Sequence, residues 1–275
     1  MLVMDNERGG ATTGRAELFE RAGRLVRPDA RLGQVLRGRP PGITAHQWSG
    51  AIRAHLAFVV WDPDTEAATL AVQLREPRQG ASRDDRMTDA VCAAVGLPLL
   101  RIESSALGGG AHARRVLEYV LDALRFTEAT GPGYRDLVGR LPDGRTGFVN
   151  DLSVLARAAA IDAYASRRLA DPTIRGLHVS WVDGPAEGWA WLDVRDGQCV
   201  FERVRVWQPQ FSCGVEPGQL AEDLAAAAIG ERLKTMDTVT PSLRAKQDIA
   251  RDFDGLRLRR DQMRDGFRYD HLTFD

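Results

Sequence analysis

The clearest pattern of apolar and polar positions lies between Leu56 and Ser104. Leu56 to Trp61 and Ala68 to Leu74 are apolar runs of strand length. The turn Asp62-Pro63-Asp64-Thr65 joins them, and this predicts a β-hairpin. Ser82 to Val95 then carries Met87, Val91, Ala94 and Val95 at helical spacing and stops at Gly96. Leu97 to Ile102 is continuously apolar and reads as a buried strand. Before this block, Thr13 to Leu25 reads as a helix capped by Thr13, with Leu18, Phe19, Ala22 and Leu25 on one side. After it, Ala111 to Arg125 is a helix with Val116, Leu117, Val120, Leu121 and Leu124.

A change of texture follows Phe126. Thr127 to Gly147 reads as a loop or linker, and Val149 to Ala170 as an Ala-rich helix stopped by Asp171-Pro172. Gly176 to Asp183, Gly188 to Arg195 and Cys199 to Gln208 are strand-like runs separated by Gly-containing turns, spaced as an antiparallel meander. Leu220 to Met236 is a further helix. Four segments are therefore expected: a loose tail over 1–13, an α/β domain over 14–126, an α+β unit with a small antiparallel sheet over 127–240, and a charged helical tail over 241–275.

Composition narrows the function classes. The chain has 275 residues, with 37 basic and 38 acidic side chains, so it is not built throughout as a polyanion binder; a local basic face remains compatible. Arg far outnumbers Lys, which occurs only at Lys234 and Lys246. The 3 cysteines, Cys92, Cys199 and Cys213, are scattered, so neither a disulfide framework nor a structural zinc site is expected. The N-terminus carries acids and no long apolar core, so no secretory leader is predicted. No run approaches the roughly 18 apolar residues of a membrane span, so a cytoplasmic protein without membrane contact is expected. The histidines His46, His55, His112, His178 and His271 show no metal-ligand spacing, and there is no nucleophile elbow, phosphate loop or dinucleotide fingerprint. Trp181, Trp189, Trp191 and Trp207 gather on the meander, where core packing is the expectation and a stacking platform the alternative.

Several pieces occur together in one order: AELFERAGRL with Glu17, RLGQVL, HLAFVVWD, TLAVQL, a helix opening Arg83-Asp84 with Asp89, and AAVGLPLLRI. On these, Arg15 to Phe126 resembles a bacterial domain of unknown function (2726 type) of the restriction-endonuclease-like PD-(D/E)XK superfamily, related to very-short-patch-repair endonucleases. The resemblance implies an α/β/α core, with a metal-binding Asp on the first strand and a Glu-x-Lys on the second. Here those places hold Ala57, Gln73 and Arg75. Gln73 brings no charge, and an Arg at position 75 stays protonated, so it cannot act as a general base and it repels a metal. The expectation is a catalytically inactive, nuclease-like binding or scaffolding module without a cofactor, its partner a nucleic acid or a protein in bacterial defence, repair or a mobile element. Arg75, Arg78, Arg83, Arg86 and Arg101 are the candidate phosphate-binding group. One alternative is an active magnesium-dependent nuclease with relocated acids, for which Glu17, Asp62 and Glu76 are the candidates. A second alternative is a protein-binding adaptor without nucleic-acid contact. The oligomeric state is left open.

Overall fold

The computed structural model describes residues 17–77, 82–106, 110–130, 138–140, 146–148, 152–236, 238 and 242–270. The tail expected over 1–13 lies outside them.

The chain enters on a hairpin where the sequence predicts a helix. β1 (Phe19–Arg21) pairs antiparallel with β2 (Arg24–Arg31) through Ala22-Gly23. Both turn residues have left-handed φ, +56° and +75°, which suits a two-residue turn of the strand's own twist. Gly23 is the signal against a helix, where it would cost roughly 1 kcal/mol. Leu18, which the helix would have turned inward, is 58% exposed, while Phe19 packs edge-on against Phe58. Arg21 holds Asp122 across the fold.

Two short helices follow, α1 (Leu32–Val35) and α2 (Ala45–Ala51), and then the hairpin β3 (His55–Asp62) and β4 (Ala67–Arg75). Its turn is closed by Asp62, whose Oδ1 accepts from the backbone N–H of Asp64 at 2.9 Å and of Thr65 at 3.3 Å. α3 (Arg83–Val95) starts at a capping box: Ser82 Oγ accepts from Asp85 N–H, and the Asp85 carboxylate accepts from Ser82 N–H. Its buried stripe is Met87, Thr88, Val91 and Cys92; Val95, expected inside, is exposed. β5 (Leu99–Glu103) is buried throughout and runs parallel to β4. α4 (Gly110–Thr130) comes next, then the small pair β6 (Val138–Arg140) and β7 (Thr146–Phe148), and α5 (Leu152–Ala165). The expected meander is present as β8 (Arg175–Trp181), β9 (Ala186–Arg195) and β10 (Gln198–Trp207), followed by α6 (Pro217–Thr235).

This meander is not a separate small sheet. β10 pairs antiparallel with β5, matching Arg205 to Glu103, Val206 to Ile102 and Trp207 to Arg101. One ten-stranded mixed sheet therefore crosses the whole fold in the order β1-β2-β3-β4-β5-β10-β9-β8-β12, with β11 (Leu243–Ala245) added to β10. The charged segment from 241 is likewise no solvated tail. α7 (Lys246–Arg257) buries Ile249, Phe253 and Leu256 against Leu177, Val179 and the tryptophans of β8 and β9, and β12 (Met263–Asp270) pairs with β8. The i, i+4, i+7 spacing of those three side chains makes a narrow apolar stripe inside a charge-dense stretch. No helix among the described residues is long and apolar enough to cross a membrane.

The fold is thus α/β in three layers. α4, α5 and α6 cover one face of the sheet. On the opposite face α2 and α3 cover one end and α7 the other. Between α3 and α7 a strip over β5, β10 and β9 carries polar side chains instead of core. Gly255 in α7 has no atom within 4 Å of where a Cβ would stand. Gly255→Ala is expected to add about 0.5–1 kcal/mol by removing backbone freedom from the unfolded chain. That is a rise in thermal midpoint of roughly 1–4 °C, readable by calorimetry.

Candidate functional site

The register of β4 against β5 sets the first half of the site. Gln73 lies opposite Arg101, and Arg75 opposite Glu103, with α3 above them. Ala57 follows from the Phe58–Val72 pairing as the β3 neighbour of Gln73. The Arg75 guanidinium donates from Nε and Nη2 to Glu103 Oε1, at 2.9 and 2.6 Å, and from Nη1 to the Asp85 carboxylate. Arg101 donates to Asp89 at 2.7 Å and to Gln73 Oε1 at 2.8 Å, and its Nη2 stands 4.0 Å from Asp85. Gln73 passes its own amide N–H to the His55 carbonyl. The surface of β4 and β5 beneath α3 is therefore threaded by two guanidinium groups, Arg75 held by carboxylates from α3 and β5 and Arg101 by carboxylates from α3.

The electrostatics follow from this pairing. Burial pulls the Arg75 cation down, but its bonds to Asp85 and Glu103 outweigh that and hold it above its ordinary value. Burial pushes Asp85 up, but the hydrogen bonds from Arg75 and Ser82 outweigh it and hold the carboxyl below the usual range. A magnesium ion needs oxygen ligands not already bound to another cation. Asp85, Asp89 and Glu103 are each bound to arginine, and among the described residues no group of three His, Cys, Asp or Glu is placed to hold a metal. The residues present do not fit a metal centre.

The relocated set is not brought together either. Glu17 is an exposed residue ahead of β1, not part of a helix. Asp62 pairs with Ala67 at one end of β4 and is used to close its own turn. Glu76 is exposed past the other end of that strand. Nine residues of strand put on the order of 30 Å between Asp62 and Glu76.

The second wall comes from residues about a hundred positions away. Glu187 on β9 accepts from Arg203 at 2.8 Å, from Arg205 at 3.3 Å and from the Trp189 indole at 2.7 Å. Arg205 also reaches Glu103 at 3.8 Å, so one carboxylate–guanidinium chain runs from α3 across β5 to β9. Trp207 sits opposite Arg101. Beyond β9, Arg259 lies with its guanidinium 4.1 Å above the Trp181 ring and donates to Gln262. These groups enclose a cleft of about 470 Å³, with Arg86 and Asp89 on the α3 side and the Asp183-Gly184-Pro185 turn opposite.

Six arginines and four carboxylates line the cleft, which leaves it cationic. Arg75, Arg101, Arg203 and Arg205 are committed to carboxylates. Arg86 and Arg259, both exposed, have no carboxylate partner among the described residues. Of the phosphate-binding group expected from sequence, Arg75, Arg86 and Arg101 meet here. Arg83 is exposed on the first turn of α3 outside the cleft lining, and Arg78 lies outside the described residues. Arg101, 3% exposed, is a positioning group and not a contact. Sequence reasoning misses Arg203, Arg205, Glu187 and Arg259 as site residues and offers Trp207 only as part of the alternative stacking platform. The alternation of Val204 and Val206 with Arg203, Arg205 and Trp207 was the available signal, since it marks a strand with a charged and aromatic face. Trp189 and Trp191 are core, as expected; Trp181 and Trp207 reach the cleft.

All three cysteines are buried and stand apart from the cleft. Burial, with Asp89 nearby, pushes the Cys92 thiol up to about 12; burial and the bond to Asp193 do the same for Cys199, and burial raises Cys213. No thiol is expected to react with an aromatic disulfide reagent at neutral pH until denaturant is added, when all three titrate.

The class defined by fold and site is an α/β protein whose sheet carries an arginine–carboxylate cleft between two covered ends. Within it, residues 27–120 match the family model described as a protein of unknown function, DUF2726, so the chain carries a DUF2726-type domain. That stretch runs from β2 into α4 and includes every residue of the first wall. No curated protein and no solved structure matches the chain.

Proposed function

We propose that this chain is a nuclease-like module that does not cleave and that binds nucleic acid through the cationic cleft. The observation that carries the reading is Arg75, a fixed cation between Asp85 and Glu103 that already neutralises both carboxylates. A tethered guanidinium satisfies the carboxylates that gather there but cannot activate water. The surplus charge on Arg86 and Arg259 gives the cleft an attraction for phosphate. A bacterial, cytoplasmic setting in defence, repair or a mobile element accords with the restriction-endonuclease-like resemblance.

The test is a binding titration with short single-stranded DNA at two salt concentrations, beside a cleavage assay with magnesium. With about two phosphate charges neutralised, affinity should fall roughly sevenfold between about 50 and about 200 mM salt. No product should form. Magnesium-dependent cleavage that disappears in Glu17→Ala or Asp62→Ala would overturn the inactive reading.

A second reading, a protein-binding adaptor, has its own support in α5. Val154, Leu155, Ile161 and Tyr164 are 47–60% exposed on that helix, an apolar row of the kind that partner surfaces use.

A further inference from the structure

We infer that the cleft takes a single terminal nucleotide, a phosphomonoester beside one unpaired base, and not a continuous stretch of backbone. This rests on the anion-binding reading above and specifies its ligand. Size is the first reason. At about 470 Å³ the cleft falls in the range that encloses one small molecule, and a duplex cannot enter it. The distribution of charge is the second. Four of the lining arginines are already matched to carboxylates, so among the described residues two lining cations lack a carboxylate partner, Arg86 on the α3 side and Arg259 on the far side. Two guanidiniums match the charge of about −1.5 to −2 on a terminal phosphate, whereas each internal phosphodiester carries one charge. Asp183, an exposed lining residue, adds a carboxylate that opposes a run of several phosphates in the cleft.

The aromatic groups give the third reason. Trp207 lies half-buried on the cleft floor and is available to one base. Trp181 already carries the Arg259 guanidinium over its ring, so it anchors the cation that would meet the phosphate. The site therefore offers one stacking surface and one pair of phosphate ligands. That is the inventory of one nucleotide.

The chemistry is shared by a free nucleoside monophosphate and by the phosphorylated end of a strand, and the experiment separates them. Four probes are titrated against the full chain by quenching of tryptophan fluorescence: a nucleoside 5′-monophosphate, a single strand with a 5′-phosphate, the same strand with a 5′-hydroxyl, and inorganic phosphate. The phosphorylated strand should bind at least about tenfold tighter than the hydroxyl strand. Arg86→Glu and Arg259→Glu should each abolish that preference, the first with the thermal midpoint unchanged and the second with a shift of no more than about 4 °C for the lost Trp181 contact. Trp207→Leu should weaken the nucleotide and leave inorganic phosphate unaffected. Equal binding of the two strands overturns the terminal-nucleotide inference while leaving the nucleic-acid reading intact. Binding of the free monophosphate but of neither strand supports the nucleotide pocket and overturns the nucleic-acid reading. Binding of inorganic phosphate as tight as the monophosphate overturns the base contact.

Discussion

Gly188→Ala is expected to cost at least about 4 kcal/mol, most of the margin of a domain near the lower end of ordinary stability, about 5 kcal/mol. Gly188 is central in β9, opposite Val204 of β10 and His178 of β8. A Cβ there would overlap the backbone carbonyl of Ala221 and the backbone nitrogen of Glu222. The usual range for an overpacked core is about 1–3 kcal/mol, because a crowded side chain can turn aside. Here the obstacle is helix backbone, which cannot. The whole of α6 would have to retreat, and with it Leu220, Ala221, Leu224 and Ala225 from the core. The retreat would also strain the buried pair in which His178 Nδ1 meets Glu222 Oε2 at 2.5 Å. Urea titration followed by circular dichroism reads the effect. Gly38→Ala, where nothing lies within 4 Å of the added methyl, should stay within about 0.5 kcal/mol of the parent. A Gly188→Ala variant that melts with the parent would mean that α6 does not lie on β9 at this distance.

What the sequence makes legible is mostly local. The β3–β4 hairpin carries its own turn chemistry in Asp62, α3 its Ser82 cap and Gly96 stop, and the meander its spaced glycines. Each of those signals acts over a few residues. The first hairpin is illegible to a periodicity argument because Leu18, Phe19, Ala22 and Leu25 satisfy a helical period by accident, while the decisive mark is the single turn at Ala22-Gly23. β12 and α7 were hidden by charge: an exposed outer face swamps a three-residue apolar stripe. The pairing of β5 with β10 left no local trace. Both strands are apolar on the side facing α4 and α6, and nothing in either names the other as neighbour. Since the cleft exists only because these strands meet, sequence could supply Arg75 and Arg101 but not the Glu187–Arg203–Arg205 wall that completes it.

Arg75→Ala is expected to cost about 3 kcal/mol at pH 7, at the lower end of what breaking a buried pair costs. Asp85 and Glu103 are 8% and 10% exposed at the side chain, so removing the guanidinium leaves two carboxylates facing each other with little water. The loss stops short of the upper end because Arg101 stands 4.0 Å from Asp85 and Arg205 3.8 Å from Glu103, each a second cation at longer reach. Arg75→Lys should recover part of it, since a single ammonium keeps the charge but cannot fork between both acids. The pH dependence gives the sign. Burial pushes Asp85 up, and the bonds from Arg75 and Ser82 hold it below its ordinary value. A carboxyl lowered by folding contributes stability that is fully present above its unfolded value of about 4 and is lost as pH falls through the lower folded one. Without Arg75 the largest of the lowering influences is gone while burial still raises the group, so the variant gives up that contribution at a higher pH than the parent does. The gap between parent and variant should therefore be widest near pH 7, narrow as pH falls through about 4, and level off only below the parent's lowered value, where both carry a protonated Asp85. Urea midpoints across that window measure it. A gap of constant size would show that Arg75 acts through the packing of its aliphatic stem and not through charge, and the view of this residue as a built-in cation would fail with it.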